Sequence, residues 1–538
     1  LYVCSLFHLY DNAPTNQIVY ACNESGWIDP SREGTSFALF CASLDGSLPT
    51  RISYNLGSDF DPDVLPNGRV VYTRGLRNDN ERRTAGTFDF MEINNDGTDM
   101  LPFYPNSALP PNKPTIKGML HIAPQHGRAY FIEANESSWL GEGRIAYVSL
   151  RRPLHSYAIL SSTETGTYAS PCSISEKGFI ASYRNRSASD SCFGLFHIDP
   201  LTGERREELY AEPGWHCLDT QVLAPHPPVK GRSTVVNLQE KTGAFYCLDI
   251  SISDRPEIHS LPKGTVKQVR VLEGLPLLST LPRTLISQTI PFAGEGSNQY
   301  SGTPFAARRI VGTAPVEEDG SFHVEVPAHI PLSLQLLDER SMTVAEQNSW
   351  TWVLPHENRG CIGCHEDREL SPPNRLVKAV TNKAWSMTLP PQQRRMVDFI
   401  HDVKPILETN CSGMKCHSAG KVEPDLDVHR LVEHPGYGAF FATAYENLLS
   451  PIPGRENERY VIPGNAKESP LIWNLHGEYT GDFEKKVPFS HPVQSMPPGQ
   501  SLSDLDKTIL IEWIDLGALY DIRPVAQVVD SLQEKQKE

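Results

Sequence analysis

The chain of 538 residues has no run of lysine or arginine, and its formal net charge is −16. A protein that follows a phosphate backbone needs clustered positive charge, so the sequence argues against nucleic-acid binding. No stretch approaches about 18 uninterrupted apolar residues, and we therefore expect no membrane-spanning helix. Residues 1–12 are apolar but short and lack a basic start, so we expect a strand there, with any targeting signal already removed.

Cysteine is sparse and unevenly placed. Four of the eleven cysteines form two short clusters, namely Cys361 with Cys364 and Cys411 with Cys416. The other seven precede residue 250: Cys4, Cys22, Cys41, Cys172, Cys192, Cys217 and Cys247. In an oxidising compartment we expect Cys22 to pair with Cys41 and Cys172 with Cys192, because each pair could join neighbouring strands of one hairpin. An odd number of thiols leaves at least one unpaired.

The chain is too long for one hydrophobic core, so we expect about two to four domains. Residues 1–250 contain short strands separated by turns. A phrase of a proline, a glycine and then a strand returns about every 40 to 50 residues, as in "DPDVLPNGRVVYTR" at 61–74. This period predicts a β-propeller of about five or six blades, with an array of β-sandwiches as the alternative.

Residues 251–390 remain rich in strands but lose this period. A turn at Asp319-Gly320 separates two alternating strands within 316–344, which predicts a small sandwich-like domain. Residues 391–538 read as helical instead. The sequence therefore predicts a multidomain, mainly β protein with a propeller, a small β middle domain and an α-helical C-terminal domain.

The C-terminal domain contains two segments with apolar residues at helical spacing, 397–411 and 501–520. Ser503 is the expected N-cap of the second helix and Gly517 its end. The apolar face of this helix consists of Leu505, Ile509, Trp513 and Leu516. The polar tail 526–538 is expected to be a frayed end.

The first cysteine cluster reads Cys361-Ile-Gly-Cys364-His365. Two thiols at this spacing add to the vinyl groups of a haem, and the adjacent histidine reaches the iron. The motif follows the β-rich segment directly, so we expect this haem at the edge of a β domain.

The second cluster, Cys411-Ser-Gly-Met-Lys-Cys416-His417, has four residues between its thiols. A helix before it, and "SMPP" with a closing helix after it, resemble a small class I cytochrome c domain. In that family the methionine, here Met496, is the sixth iron ligand, and His491 is a competitor. Either ligand closes the iron, so we expect a second covalent haem that transfers electrons.

The order of these segments resembles the hydrazine synthase alpha subunit family over nearly the whole chain. The most specific stretches are "VEEDGSFHVEVP", "SWTW" and "RGCIGCHEDREL". In that family the middle haem is the proposed active site. The motif histidine there binds zinc, and a tyrosine four positions later binds iron. Here His365 matches the histidine, but Glu369 stands at the tyrosine position. The resemblance therefore implies a relative with different chemistry, because the axial ligand sets the reactivity of the iron.

The family zinc also uses a cysteine from the propeller side. Cys217, with His216 beside it, is the candidate here, because Zn²⁺ favours thiolate and imidazole ligands. Without zinc, His365 is free to bind iron. Asp367 and Glu369 are candidate catalytic groups at the middle haem, as an iron ligand or a proton donor. If Asp367 and Glu369 are only solvated surface charges, neither acts as a ligand or a proton donor.

Three functional hypotheses remain open from the sequence. The first is an extracytoplasmic oxidoreductase with two haems, whose middle haem is catalytic and whose C-terminal haem exchanges electrons with a redox partner protein. The second is a non-catalytic electron carrier or one unit of an extracellular assembly, in which His323, His329 or His356 closes the middle iron. The third is the hydrazine-forming subunit itself. Assembly with copies of itself or with other subunits is compatible with each.

Overall fold

The structure is a computed structural model that describes residues 17–23, 26–29, 34–76, 87–104, 118–125, 127–134, 141–175, 178–185, 192–223, 233–282, 306–347, 349–364, 366–412, 416–417, 422–434, 439–452, 454–455, 458–481 and 493–535. The strand expected at 1–12, with Cys4, lies outside the described residues, as do His365 and His491. The helices within these ranges are too short or too polar to cross a membrane.

The N-terminal part consists of antiparallel sheets that follow one another along the chain. Its strands are β1 (Gln17–Cys22), β2 (Ala38–Ser43), β3 (Thr50–Arg51), β4 (Asp59–Val64), β5 (Val70–Leu76), β6 (Thr87–Ile93), β7 (Leu101–Tyr104), β8 (Gly118–Gln125), β9 (Arg128–Ala134), β10 (Arg144–Ser149), β11 (Ala158–Ile159), β12 (Gly166–Ser175), β13 (Gly178–Asn185), β14 (Gly194–Ile198) and β15 (Arg205–Tyr210). Strands β1 to β3 form a three-stranded sheet, and β4–β7, β8–β11 and β12–β15 form four-stranded meanders. Each meander corresponds to one unit of the predicted repeat.

The first strands of the three meanders, β4, β8 and β12, lie next to one another. Each is interrupted by a shift of register. Asp61, His121 and Ser170 lie in these irregular stretches with φ angles of 49°, 54° and 45°. A bulge turns a side chain out of the regular pleat, and Asp61 Oδ2 lies 3.0 Å from His121 Nδ1. Each meander therefore presents one polar side chain where the first strands meet.

Two four-stranded sheets form the middle part. Their strands are β16 (Thr242–Cys247), β17 (Gln268–Leu275), β18 (Ala307–Pro315), β19 (Phe322–Pro327), β20 (Leu332–Leu337), β21 (Thr343–Glu346), β22 (Asn358–Cys361) and β23 (Trp385–Ser386), in the orders β22-β16-β19-β23 and β18-β17-β20-β21. Both sheets contribute to one apolar core, including Phe245, Val271, Val324 and Leu336. The turn predicted at Asp319-Gly320 precedes β19, and Gly320 has the positive φ of 83° that glycine adopts without strain.

Strand β16 changes the expected boundary between the N-terminal and middle parts. The sequence assigned residues 242–247 to the end of the propeller, but β16 pairs antiparallel with β19 and parallel with β22. Because β22 lies more than a hundred residues later in the chain, its pairing leaves no local signal in the sequence. The middle sheet therefore begins before residue 251.

The C-terminal part is mainly helical. Within the part of the chain that the structure describes, the α-helices are α1 (Pro256–His259), α2 (Lys378–Thr381), α3 (Lys404–Asn410), α4 (Thr443–Leu449), α5 (Pro470–His476), α6 (Asp504–Asp515) and α7 (Arg523–Lys535). Strands β24 (Leu431–His434) and β25 (Ala439–Ala442) form a hairpin. The helix predicted at 397–411 is instead a π turn, Phe399–Val403, continued by α3. Ser503 caps α6 as predicted, because its side chain accepts the N–H of Asp506 at 3.0 Å. Trp513 is fully buried, whereas Leu505 is exposed, contrary to the predicted face.

The polar tail is also different from the prediction, because α7 is an ordered helix of 13 residues. Val525 and Val529 are buried beside Leu275 of β17. The side chain of Asp530 lies 2.8 Å from Arg309, which also pairs with the buried Glu273 at 2.5 Å. Contacts with the middle sheet stabilise the helix. The polar sequence of the helix does not predict these contacts.

Asp515, at the end of α6, ties the C-terminal part to the middle part. Its carboxylate accepts the N–H and the hydroxyl of Thr343 at 2.9 and 2.8 Å, and the N–H of Ala466 at 2.9 Å. Burial raises the pKa of Asp515 to about 6, although the guanidinium of Arg270 lies 3.6 Å away. The closing helix is thus fixed to β21 and to the loop before α5.

The disulfides expected at Cys22–Cys41 and Cys172–Cys192 are not formed, and the ten described cysteines are all free thiols. Cys22 lies opposite Ala38, and Cys41 lies opposite Val19, so the two thiols are displaced along the β1–β2 hairpin. Cys172 lies on β12, whereas Cys192 precedes β14, with β13 between these strands. The two cysteine pairings predicted from proximity in sequence are therefore wrong, because neither pair lies opposite each other in its sheet.

Candidate functional site

The second cysteine cluster opens onto a cavity of about 590 Å³ in the C-terminal part. Cys411, Cys416 and His417 line one side, and Met496 is also part of the lining. Its volume lies within the ~300–1,000 Å³ of cofactor and ligand sites. The apolar side chains of Leu448 and Leu471, among others, line the rest. These residues fit a covalently attached haem, because both thiols, a histidine and a methionine line one mainly apolar cavity.

His417 is oriented by a hydrogen bond to the backbone. Its Nδ1 atom lies 3.0 Å from the carbonyl oxygen of Pro424, so Nδ1 carries the proton and donates it. This bond orients the ring and leaves Nε2 available to bind a metal. Sequence reasoning missed Pro424, although a proline shortly after the motif histidine was visible.

Cys411 directly follows α3, and the end of this helix fixes its position. Its N–H donates to the carbonyl of Leu407 at 2.8 Å. Burial raises the pKa of Cys411 to about 11, and the neighbouring Cys416 adds to the rise. The expected order of a helix followed by a thiol is therefore present, and the two thiols lie close enough to interact.

Met496 is held by the end of α5. The N–H of Met496 donates to the carbonyl of Asn474 at 2.9 Å, and the N–H of Gln494 donates to Asn474 Oδ1 at 3.0 Å. Asn474 also lines the cavity. The structure thus brings Met496 to the same cavity as His417, whereas the competitor His491 lies outside the described residues. No sequence signal pointed to Asn474.

The first cysteine cluster leaves the edge of the middle sheet. Cys361 is the last residue of β22, and the N–H of Cys364 donates to the carbonyl of Ile252 at 2.9 Å. A Cβ at position 363 would overlap that carbonyl, which explains the glycine between the thiols. Burial raises the pKa of both thiols, that of Cys364 to about 12. Cys361 therefore lies at the edge of the middle sheet, and the position of a haem there stays a prediction.

A third thiol, Cys247, accompanies this cluster. Cys247 lies directly beside Cys361 in the parallel pairing of β16 with β22. Burial raises its pKa well above the usual value, and the nearby Cys361 and Cys364 add to the rise. The three residues pack in the core between the two middle sheets.

Charged groups surround this cluster. Burial raises the pKa of Glu366, which accepts the N–H of Ile362 at 3.1 Å. Burial lowers the pKa of Arg368, and the like charge of Arg359 adds to this effect. Arg359 already donates to Thr351 Oγ1 and to the carbonyls of Trp352 and Met100, so it is part of the protein's own hydrogen bonding beside the thiols.

The two carboxylates proposed as catalytic face the N-terminal part. Glu369 accepts the N–H of Leu154 at 2.7 Å and pairs with Arg152 at 3.0 Å. Asp367 pairs with His155 at 2.6 Å. Both side chains thus bind one 3₁₀ turn, Pro153–His155. The carboxylate oxygens of Asp367 and Glu369 are engaged in this contact. The two side chains therefore form a junction between the middle part and the N-terminal part.

The three histidines considered as ligands of the middle iron occupy different positions. His356 pairs with Glu240 at 2.8 Å and His329 stacks on Tyr54, with ring centroids 5.4 Å apart. His323 packs against the ring of Tyr246, opposite it on the neighbouring strand. Its Nδ1 atom is buried without a hydrogen-bond partner among the described residues.

The candidate zinc ligands Cys217 and His216 pair with another segment of the N-terminal part. His216 Nδ1 accepts the N–H of Phe193 at 3.2 Å, and the N–H of Cys217 donates to the carbonyl of Phe193 at 2.9 Å. Zinc at this position stays an untested prediction.

Among the described residues, the group of metal-type ligand atoms within 4.8 Å of one another consists of Asp398, His401 and Asp521. It contains neither Cys217 nor His216. The guanidinium of Arg523 lies 3.7 Å from Asp398 and already supplies positive charge there.

Comparison with known proteins identifies relatives of this arrangement. A family model described as the hydrazine synthase alpha subunit middle domain matches residues 264–366, which include the first motif. Hydrazine synthase subunit alpha of Kuenenia stuttgartiensis is 25% identical over 568 aligned residues, covering 88% of this chain and 68% of the relative. The solved structure of Kuenenia stuttgartiensis hydrazine synthase matches with a TM-score of 0.77 at 22% identity, covering 94% of this chain and 78% of that one. The predicted resemblance is confirmed, and the chain is a relative of hydrazine synthase alpha.

Proposed function

We propose that this chain is an extracytoplasmic oxidoreductase carrying two covalently attached haems of the c type. The observation that carries the proposal is the cavity that Cys411, Cys416, His417 and Met496 line together. The resemblance to hydrazine synthase alpha over 88% of the chain supports an oxidoreductase system. Attachment of haem to paired cysteines takes place outside the cytoplasm, which supports the location.

The C-terminal site is proposed to transfer electrons. A bound haem supplies an iron that cycles between two oxidation states. His417 is held by Pro424 with Nε2 free, and Met496 lines the same cavity, so these two side chains would hold the iron of a haem bound there. A thioether ligand raises the reduction potential relative to a second histidine. Apolar side chains such as Leu448 and Leu471 line much of the cavity and would shield a bound haem in part from water.

The middle site is proposed to hold the haem that an external ligand can reach. The tyrosine of the family is replaced by Glu369, whose carboxylate is bound to Arg152 and Leu154. This exchange supports a reaction other than hydrazine formation. Asp367 and Glu369 are proposed to position the motif against the N-terminal part, and a proton donor for the substrate has to come from elsewhere.

A second candidate function is a pure electron carrier with both irons closed. The engagement of Asp367 and Glu369 by Arg152 and His155 favours it, because the carboxylates expected to do chemistry are occupied. His323 would then be the candidate ligand of the middle iron, because its Nδ1 atom has no hydrogen-bond partner among the described residues.

Cyanide titration of the purified ferric protein distinguishes the two functions. The proposed oxidoreductase binds one equivalent per chain, with loss of a high-spin signal, and His323→Ala leaves this stoichiometry unchanged. Two low-spin irons that bind no cyanide, with a new binding site in His323→Ala, would establish the carrier instead.

The N-terminal part is proposed to be a β-propeller that serves as a docking surface. The meanders β4–β7, β8–β11 and β12–β15, with their first strands side by side, support this arrangement. We propose that it faces another subunit or a redox partner, because the relative in Kuenenia stuttgartiensis is itself a subunit. Cross-linking of the purified protein, read by mass spectrometry, tests which face is covered.

A further inference from the structure

The segment that carries Met496 is bound to the end of α5 through one residue, Asn474. Among the described residues, the N–H groups of Gln494 and Met496 both donate to Asn474, and the carbonyl of Pro497 accepts the N–H of Gln500 in the turn that follows. The carbonyl of Asn474 accepts Met496 N–H at 2.9 Å, and its side-chain Oδ1 accepts Gln494 N–H at 3.0 Å. Gln494 itself is exposed. The position of Met496 therefore depends on two bonds to a single asparagine.

Asn474 is itself rigidly placed. Its neighbours Trp473 and Leu475 are buried at 1% and 6% exposure, and Trp473 Nε1 donates to the carbonyl of Lys467 at 2.9 Å. The helix ends three residues later at Gly477, whose φ of 70° terminates it. A segment that is hydrogen-bonded to a rigid helix end takes its position from that end.

The chemistry of the Asn474 side-chain amide determines which of its atoms accepts the N–H of Gln494. A backbone N–H donates, so the group that receives Gln494 N–H has to be the oxygen of the Asn474 amide. An aspartate at this position retains an acceptor, whereas a leucine of similar size removes it. The main-chain bond to Met496 persists in every variant, which allows the side-chain bond to be tested separately.

We propose that Asn474 is a positioning residue for the axial methionine, and that its side chain sets how readily Met496 yields its place on the iron to another ligand. This role rests on the proposed function, in which Met496 binds the C-terminal iron. Asn474 acts through Gln494 and Met496 and is not itself a ligand. A hydrogen bond of this kind changes an equilibrium by about three- to tenfold.

The test compares Asn474→Leu, Asn474→Asp and Asn465→Leu in the full chain with both haems. Asn465 is the matched control, because its Oδ1 also accepts a backbone N–H, from Glu468 at 3.1 Å, away from Met496. Imidazole is titrated into the ferric protein while the weak near-infrared band of sulfur-ligated haem is followed. Haem content and far-ultraviolet circular dichroism establish that each variant is folded.

We expect imidazole to displace the methionine at about three- to tenfold lower concentration in Asn474→Leu, with values near wild type in Asn474→Asp and Asn465→Leu. A wild-type titration in Asn474→Leu, while Met496→Ala loses the band, overturns the role of Asn474 alone. An equal shift in Asn465→Leu overturns it as well, because the effect is then a general loss of stability. An unchanged spectrum in Met496→Ala overturns the ligand assignment and this role together.

Discussion

The carboxylate of Glu369 lies 3.0 Å from the guanidinium of Arg152, although 217 residues separate them in the chain. The same carboxylate accepts the N–H of Leu154, and Asp367 holds His155. The residues just after the first haem motif are therefore part of a junction with the N-terminal part. This contact gives Glu369 a structural role at the junction.

Substitution of Glu369 is expected to loosen this junction. Arg152 is 64% exposed, so its ion pair contributes little, and the bond to Leu154 N–H matters more. Glu369→Ala should speed hydrogen exchange at residues 152–157 and lower the free energy of unfolding by about 1 kcal/mol. Glu369→Gln retains an acceptor and should stay close to wild type, as should Glu164→Ala at an exposed position. A loss of ligand binding at the middle haem in Glu369→Gln, without faster exchange, would instead support a catalytic carboxylate.

Two covalent haems are expected on each chain, because both cysteine pairs precede a histidine directly. The intact mass after denaturation should exceed that of the polypeptide by two haems. Replacing both Cys411 and Cys416 by alanine should remove one of them, whereas Cys192→Ala should remove none. An excess of one haem in the wild type would eliminate the site with four residues between its thiols.

Met496→Ala is expected to abolish the near-infrared band of the ferric protein and to lower the reduction potential of the C-terminal haem, since a methionine ligand raises it. Met396→Ala is the control, because Met396 is half-buried and does not line the cavity. If the wild type never shows this band and His491→Ala makes the iron high-spin, the bis-histidine assignment is correct.

The stability of the contact around Asp515 is expected to depend on pH. Burial raises its folded-state pKa to about 6 from an ordinary value near 3.8, so folding binds a proton between these values. The stabilisation is fully present below about pH 4 and is lost as the pH rises through about 6. Relative to Asp515→Asn, the wild type should lose on the order of 3 kcal/mol across this range.

Urea unfolding between pH 4 and pH 7.5 measures this dependence. The exposed Asp504→Asn, which removes a carboxylate from the same helix away from this contact, is the control. Parallel curves for the wild type and Asp515→Asn would contradict the prediction.

The sequence alone determined the local features of this protein. Paired cysteines followed by histidine specify their own spacing, and the turn at Asp319-Gly320 and the cap at Ser503 depend on a few adjacent residues. The family resemblance rests on such contiguous stretches, and it is confirmed over most of the chain. Features of this kind are readable because the interactions that produce them lie within a few residues.

The tertiary structure decided what depends on distant partners. The pairing of β16 with β22, the burial of α7 against β17 and the contacts of Glu369 with Arg152 join segments far apart in the chain. Their free energy comes from burial and hydrogen bonds formed only when the chain is folded, so no local pattern encodes them. The disulfide predictions failed for the same reason, because nearness in sequence does not fix the register of a hairpin.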